Sequence, residues 1–204
     1  MFDNGKARLK KEVKRLFIFM LAISVFLFPI SLEAHAFTRD DLCWNGYVLT
    51  QKINYIPHRD FGSLSIAHMN DALYVWNEAM NDWLLSRSPT ERHTSKSFPL
   101  EDNKSKVYRV TNSNTDIVAE NHIYSLGGSV TESDININMA CDWANSAQSG
   151  KYDVWSVFLH EAGHTVGLGD RDDTTQSVMY WLAFQNTERR ALYSIDQYNI
   201  DERY

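Results

Sequence analysis

The sequence predicts an α+β fold in which one mixed sheet carries three helices, and three observations predict it. Ile66, Met69, Leu73, Trp76, Met80 and Trp83 recur at spacings of 3, 4, 3, 4 and 3, the period of one helical face. Within residues 133–139, polar and apolar side chains alternate from Asp134 onward, as in a half-exposed strand. A second apolar helical face runs through Trp155, Phe158, Leu159, Ala162 and Val166, with Gly167 and Gly169 directly behind it.

Taken in chain order, residues 52–56 read as a strand ended by Pro57, and the long helix follows. Residues 86–106 are polar, contain Pro89 and Pro99, and read as loop with room for one short strand. Residues 106–110 and 117–118 read as short strands parted by Asn112, Ser113 and Asn114, and Gly127-Gly128 marks a turn ahead of the alternating strand. Asp153 is placed to cap the second helix, whose buried side is the 155–166 face. A last helix starts near Ser194, with Ile195 and Tyr198 on its apolar side.

The chain has 204 residues and a net charge of −6; 23% charged residues with only 9 Gly and 4 Pro exclude a collagen-like, low-complexity or wholly disordered polymer. An acidic balance argues against nucleic acid as partner, because a phosphate backbone is met by Lys and Arg. The charge is unevenly spread. Residues 1–15 are basic, residues 16–30 form an uncharged apolar run of 15, and Ala34-His35-Ala36 ends in a small-x-small site. That is the pattern of a secretory signal peptide cleaved after Ala36. A membrane anchor needs about 20 apolar residues, more than this run supplies, and Pro29 sits inside its end. The expectation is therefore a leader over 1–36 and a secreted, extracellular domain over 37–204, monomeric and without stable membrane association once the leader is removed. The leader takes six of the 20 Lys/Arg and three of the 26 Asp/Glu, leaving 14 basic against 23 acidic residues in the exported part. Cys43 and Cys141 both lie there, and an even pair in an oxidising compartment suggests one disulfide, with two unpaired thiols as the alternative.

Residues 160–170 read HEAGHTVGLGD. Residues four apart on a helix point nearly the same way, so His160 and His164 aim two imidazoles at one spot, suited to a Zn²⁺ ion, with Glu161 placed as general base. A catalytic zinc needs a third protein ligand and an open fourth position. Gly167 can adopt the positive φ that turns the chain out of the helix and returns Asp170 to the metal. Chance produces the H-E-x-x-H core in such a chain on the order of 1 time in 100, and the added glycine and aspartate lower this to a few in 100,000.

At these residues the chain resembles the metzincin metallopeptidases, in the Asp-ended HExxHxxGxxD form associated with snapalysin-like enzymes. Ser177-Val178-Met179-Tyr180 resembles the Met-turn, which places Met179 beneath the metal site. The wider sequence is similar to a matrixin catalytic domain, strongly over 130–204 and weakly before. The resemblance implies a metzincin-like zincin fold: a twisted mixed sheet, mostly parallel with an antiparallel edge strand above the cleft, and three helices. It implies a zinc endopeptidase that cleaves peptide or protein substrates by a zinc-activated water with Glu161 as base and His160, His164 and Asp170 as metal ligands. It also implies a substrate pairing with the backbone of residues 135–139, and a pocket walled by residues 180–184 suited to a large hydrophobic side chain. Two positions depart from the matrixin pattern, Asp170 for the usual His and Trp181 for the usual Pro. The family's His-rich structural-zinc segment is not found, so His58, His68, His93 and His122 read as structural or surface residues. Ca²⁺ is common in the family but no specific motif supports it here, and Asp172 and Asp173 read as solvated loop. Two alternatives stand at this point: a non-catalytic zinc-binding interaction module of the same fold, and a membrane-tethered peptidase that keeps its leader.

Overall fold

The computed structural model describes residues 44–204. The leader over 1–36, its cleavage site and Cys43 lie outside the described residues. Among the described residues, no helix is long and apolar enough to cross a membrane.

The elements run β1 (Ile53–Pro57), α1 (Ser63–Met80), β2 (Leu85–Arg87), β3 (Lys106–Tyr108), β4 (Ala119–Leu126), β5 (Ser129–Ile137), β6 (Trp143–Ala144), β7 (Tyr152–Asp153), α2 (Val154–Thr165) and α3 (Ser194–Asp201). Five strands form one sheet in the order β2-β1-β3-β5-β4, parallel except for the β4–β5 pair, and β6 and β7 form a separate two-stranded sheet. This is the mixed, mostly parallel sheet with an antiparallel edge strand and three helices that the resemblance implies.

In α1, Ile66, Met69, Leu73, Trp76 and Met80 form the buried stripe. Trp83, the expected sixth member, falls outside. Asn81 takes a left-handed conformation at φ 50° and its N–H caps the helix on the Asn77 and Glu78 carbonyls. Trp83 is left 58% exposed, edge-on to Tyr74. The buried Trp76 indole donates to the Leu159 carbonyl at 2.8 Å, joining α1 to α2. Asn77 pairs with both backbone groups of Leu85, at 2.7 and 2.9 Å, and so fixes β2 at the start of a stretch expected to be loop.

Where the sequence reads only a short strand at 117–118, the chain forms the antiparallel edge strand Ala119–Leu126, which has no clean alternation because its side chains are mostly half-exposed on both faces. Gly127 and Gly128, both at positive φ (61° and 82°), make the tight hairpin into β5.

β5 is longer than the alternating stretch and is not half-exposed. Its polar positions Glu132, Asp134 and Asn136 are buried on one face, and Asn138 follows in the same phase. These side chains hold loop backbone that would otherwise lack partners. Glu132 accepts from the Asp102 and Asn103 N–H groups at 3.2 and 2.6 Å, and Asp134 from Leu100 and Lys106, both at 3.0 Å. Asn136 accepts from Val110 at 2.8 Å, and Asn138 from Asn112 at 2.9 Å. Alternation thus separates an apolar core face from a buried polar face.

Asp134 makes this arrangement measurable. Burial pushes its carboxyl up to about 6, against the pull of the Leu100 and Lys106 N–H groups. An unfolded carboxyl titrates near 4, so between about pH 4 and 6 the folded chain carries a proton that the unfolded chain has released. Stability from this group is therefore complete below about pH 4 and is lost as pH rises through about 6, by at most about 1.4 kcal/mol per pH unit. Asp134→Asn is expected to remove that slope. Urea midpoints of both proteins, taken across this range, check it, and equal slopes would refute the assignment.

The core lies between the sheet and α1 and α2, around Trp76, Phe158, Leu159, Tyr55, Ile135 and Ile137. Of the face expected to be buried on α2, Trp155 is only half-buried, with the Arg190 guanidinium over its ring. On α3, Ile195 is buried and Tyr198 half-buried.

Candidate active site

α2 begins where the sequence places it, with Asp153 accepting from the Ser156 N–H at 3.0 Å. One turn apart on this helix, the His160 and His164 rings stand 4.9 Å between centroids and nearly perpendicular, at 88°. His160 Nδ1 bonds the Val178 carbonyl at 2.8 Å and His164 Nδ1 the Leu168 carbonyl at 2.9 Å. A carbonyl only accepts, so each Nδ1 carries a proton; a ring that is otherwise neutral presents its Nε2 lone pair, and one protonated at Nε2 as well donates to Asp170. Both Nε2 atoms face Asp170 Oδ1, at 3.2 Å from His160 and 3.6 Å from His164. Among the described residues, His160, His164 and Asp170 form a metal-capable group, with one ligand atom each and all three within 4.8 Å of one another.

Two glycines let the backbone reach this arrangement. Gly167 turns the chain at φ 98°, and a Cβ there would strike the Tyr47 carbonyl. Gly163, between the histidines, gives room below the helix: a Cβ would collide with Met179 Sδ and sit 2.9 Å from the Trp76 ring. Met179, 1% exposed, thus lies against the helix segment that bears both histidines.

Glu161 lines the same cleft and is 5% exposed. Burial raises its carboxyl to about 7; the His160 charge opposes this, and Asp170 and Glu120 reinforce it. Burial also lowers His164, to about 4, with His160 adding to the effect. Burial pulls His160 down as well, but its hydrogen bond to Asp170 and the Glu161 charge leave it above the ordinary imidazole value. That same hydrogen bond holds Asp170 below the ordinary carboxylate range. The cleft measures about 390 Å³, with residues of β4 and its approach on one side and residues 180–184 on the other.

The structure moves the expected substrate-pairing strand. β5 is hydrogen-bonded on both sides, to β3 and to β4, so its backbone is not free at residues 135–137. The open edge beside the cleft belongs to β4. Asn121 on β4 donates to the Glu161 carbonyl at 2.6 Å and to Thr165 Oγ1 at 2.9 Å, tying that edge to α2. Cys141 is a free, buried thiol whose Sγ lies 3.7 Å from the Thr115 carbonyl; Cys43, its expected disulfide partner, is outside the described residues. Asp173 is an ion-pair partner of Arg171 rather than merely solvated. His122 packs on Tyr124, and His58 on His93, and none of the three histidines belongs to the metal-capable group.

Asp196 is the residue that the sequence gives no reason to choose. Wholly buried on α3, it accepts from Ser177 Oγ and from the Val178 and Tyr193 N–H groups, the latter two at 2.9 Å. It thereby fixes the residue whose carbonyl orients His160. Asp196→Ala would leave those donors buried without a partner, so a loss of about 3 kcal/mol is expected in urea unfolding. Zinc affinity should fall by about 10- to 100-fold in a chelator competition, the usual cost of losing an outer partner of a metal ligand. Unchanged affinity would show that His160 is oriented without it.

A family model described as matrixin matches residues 44–204. The chain belongs to the matrixins. As a matrixin it is a zinc metalloendopeptidase that acts on peptide or protein substrates, and its donor set suits the metal: two imidazole nitrogens with locked tautomers and one carboxylate oxygen. No curated protein matches this matrixin in sequence. Among solved structures it is similar to high choriolytic enzyme 1, a hatching-enzyme zinc-protease of the medaka fish Oryzias latipes, at 14% identity and a TM-score of 0.38, over 81% of this chain and 96% of that one.

Proposed function

We propose that this matrixin hydrolyses internal peptide bonds with zinc held by His160, His164 and Asp170 and with Glu161 as the proton carrier. The observation that carries the reading is the convergence of those three ligand atoms within 4.8 Å, with both histidine Nδ1 atoms already committed to carbonyls. Zinc, when bound, supplies Lewis-acid polarisation at this position. Glu161 takes a proton from the attacking water and passes it to the amine nitrogen as the C–N bond breaks. Its buried, weakly solvated carboxyl suits a group that must both accept and return a proton. A substrate lies extended along β4, whose outer backbone groups are open to strand addition. Secretion is part of the proposal and is supported by the basic, apolar and small-x-small pattern of residues 1–36.

The test is to incubate the zinc-loaded protein with a peptide library, with and without a chelator, and to measure zinc content in parallel. One zinc per chain and chelator-sensitive internal cleavage are expected. A zinc-loaded protein that cleaves nothing would favour a binding module instead.

A further inference from the structure

The cleft beside the metal site is not the uniformly apolar pocket that residues 180–184 suggest. Arg189 lines it as well. The Arg189 Cζ lies 4.7 Å from the Phe184 ring centroid and 5.7 Å from that of Tyr180, and these two rings stack within 5° of parallel, 5.9 Å apart. The Arg189 backbone N–H donates to Ser156 Oγ at 2.7 Å, anchoring the residue to α2 one turn ahead of His160.

Its neighbour has a different task. Arg190 is committed to Asp153 through two bonds of 2.7 and 2.9 Å, which also neutralises the carboxylate nearest in sequence to Ser156 on the cleft wall. Arg189 forms no ion pair with any carboxylate among the described residues; its guanidinium reaches only the Ser177 carbonyl, at 3.5 Å. Aromatic faces hold a guanidinium in place through its π surface and leave the N–H edge available. Such an edge matches a carboxylate with two parallel charge-assisted bonds. Asp116 and Glu120 also line the cleft, and Arg189 is the one arginine or lysine in its lining.

We propose that Arg189 receives a carboxylate of the substrate next to the scissile bond, with Tyr180 and Phe184 packing against the carbon chain that bears it. The proposal rests on the peptidase reading above and names the substrate class of that site. The carboxylate has two sources, an acidic side chain within the peptide or the free C-terminus of a short one.

The experiment uses zinc-loaded protein and internally quenched peptides carrying Glu, Gln, Leu or Lys in turn at each position flanking the cleaved bond. One series has amidated C-termini and the other free carboxylates. The expected result is about a tenfold higher kcat/KM for Glu over Gln at one flanking position in the amidated series, the scale of a charge-assisted pair. Arg189→Gln should bring that ratio to about one, and Arg189→Glu should invert it toward Lys, each with one zinc per chain. A preference seen only in the free-carboxylate series, and lost in Arg189→Gln, assigns the chain end as the source. Cleavage with no carboxylate preference in either series, or a preference that survives Arg189→Gln, overturns the proposal. Absence of cleavage of every peptide by zinc-loaded wild type overturns the peptidase reading itself, and the proposal with it.

Discussion

Glu161→Gln is expected to lower kcat/KM by about 10²- to 10⁴-fold while zinc remains bound, the range that a positioned general base supplies. Gln keeps the size and hydrogen-bonding ends of the side chain and removes its ability to take a proton. The residue stands beside His160 on α2, is 5% exposed, and is not one of the three converging ligands. The substitution should therefore leave metal affinity in place. Paired assays of peptide cleavage and zinc content check this. Activity within a few-fold of wild type at full zinc occupancy would assign the proton to another group.

Asp170→Ala should strike the metal itself. Asp170 is the one anionic member of the set, brought within 3.2 and 3.6 Å of the two Nε2 atoms by the turn at Gly167. Losing a ligand should cost more than the roughly 100-fold seen on losing an outer partner. Because zinc bound to the folded state alone stabilises it by mass action, the zinc-dependent rise in Tm should shrink along with cleavage. A Tm rise on zinc addition equal to wild type would remove Asp170 from the ligand set. The two substitutions part cleanly: Glu161→Gln spares zinc and loses turnover, whereas Asp170→Ala loses both.

The metal-capable group is legible in the sequence because its geometry is local. His160, Glu161 and His164 share one helix, and a glycine turn of a few residues returns Asp170. Where the stripe 66–80 meets the core, periodicity alone places α1, but it overruns to Trp83 because nothing in hydrophobic spacing announces the left-handed Asn81. The strands fail for a different reason. Alternation at 134–139 is real, yet it distinguishes apolar from polar rather than buried from exposed, and Asp134 and Asn136 are buried to satisfy loop backbone far away in sequence. β4 escapes notice because an edge strand facing a cleft has no consistent apolar side. Asp196 and Arg189 are invisible for want of any motif: each matters through a partner that only the fold supplies.

The seat of Asp196 has a consequence for what holds the site together. His160 is aimed by the Val178 carbonyl, and the Val178 amide is held in turn by a carboxylate 18 residues further on. The last helix therefore acts as a latch on a centre whose ligands all precede it. Trimming the chain behind residue 190 would touch no ligand and no cleft wall, yet it would withdraw the latch. Loss of the last helix is therefore expected to weaken metal binding without removing a single ligand.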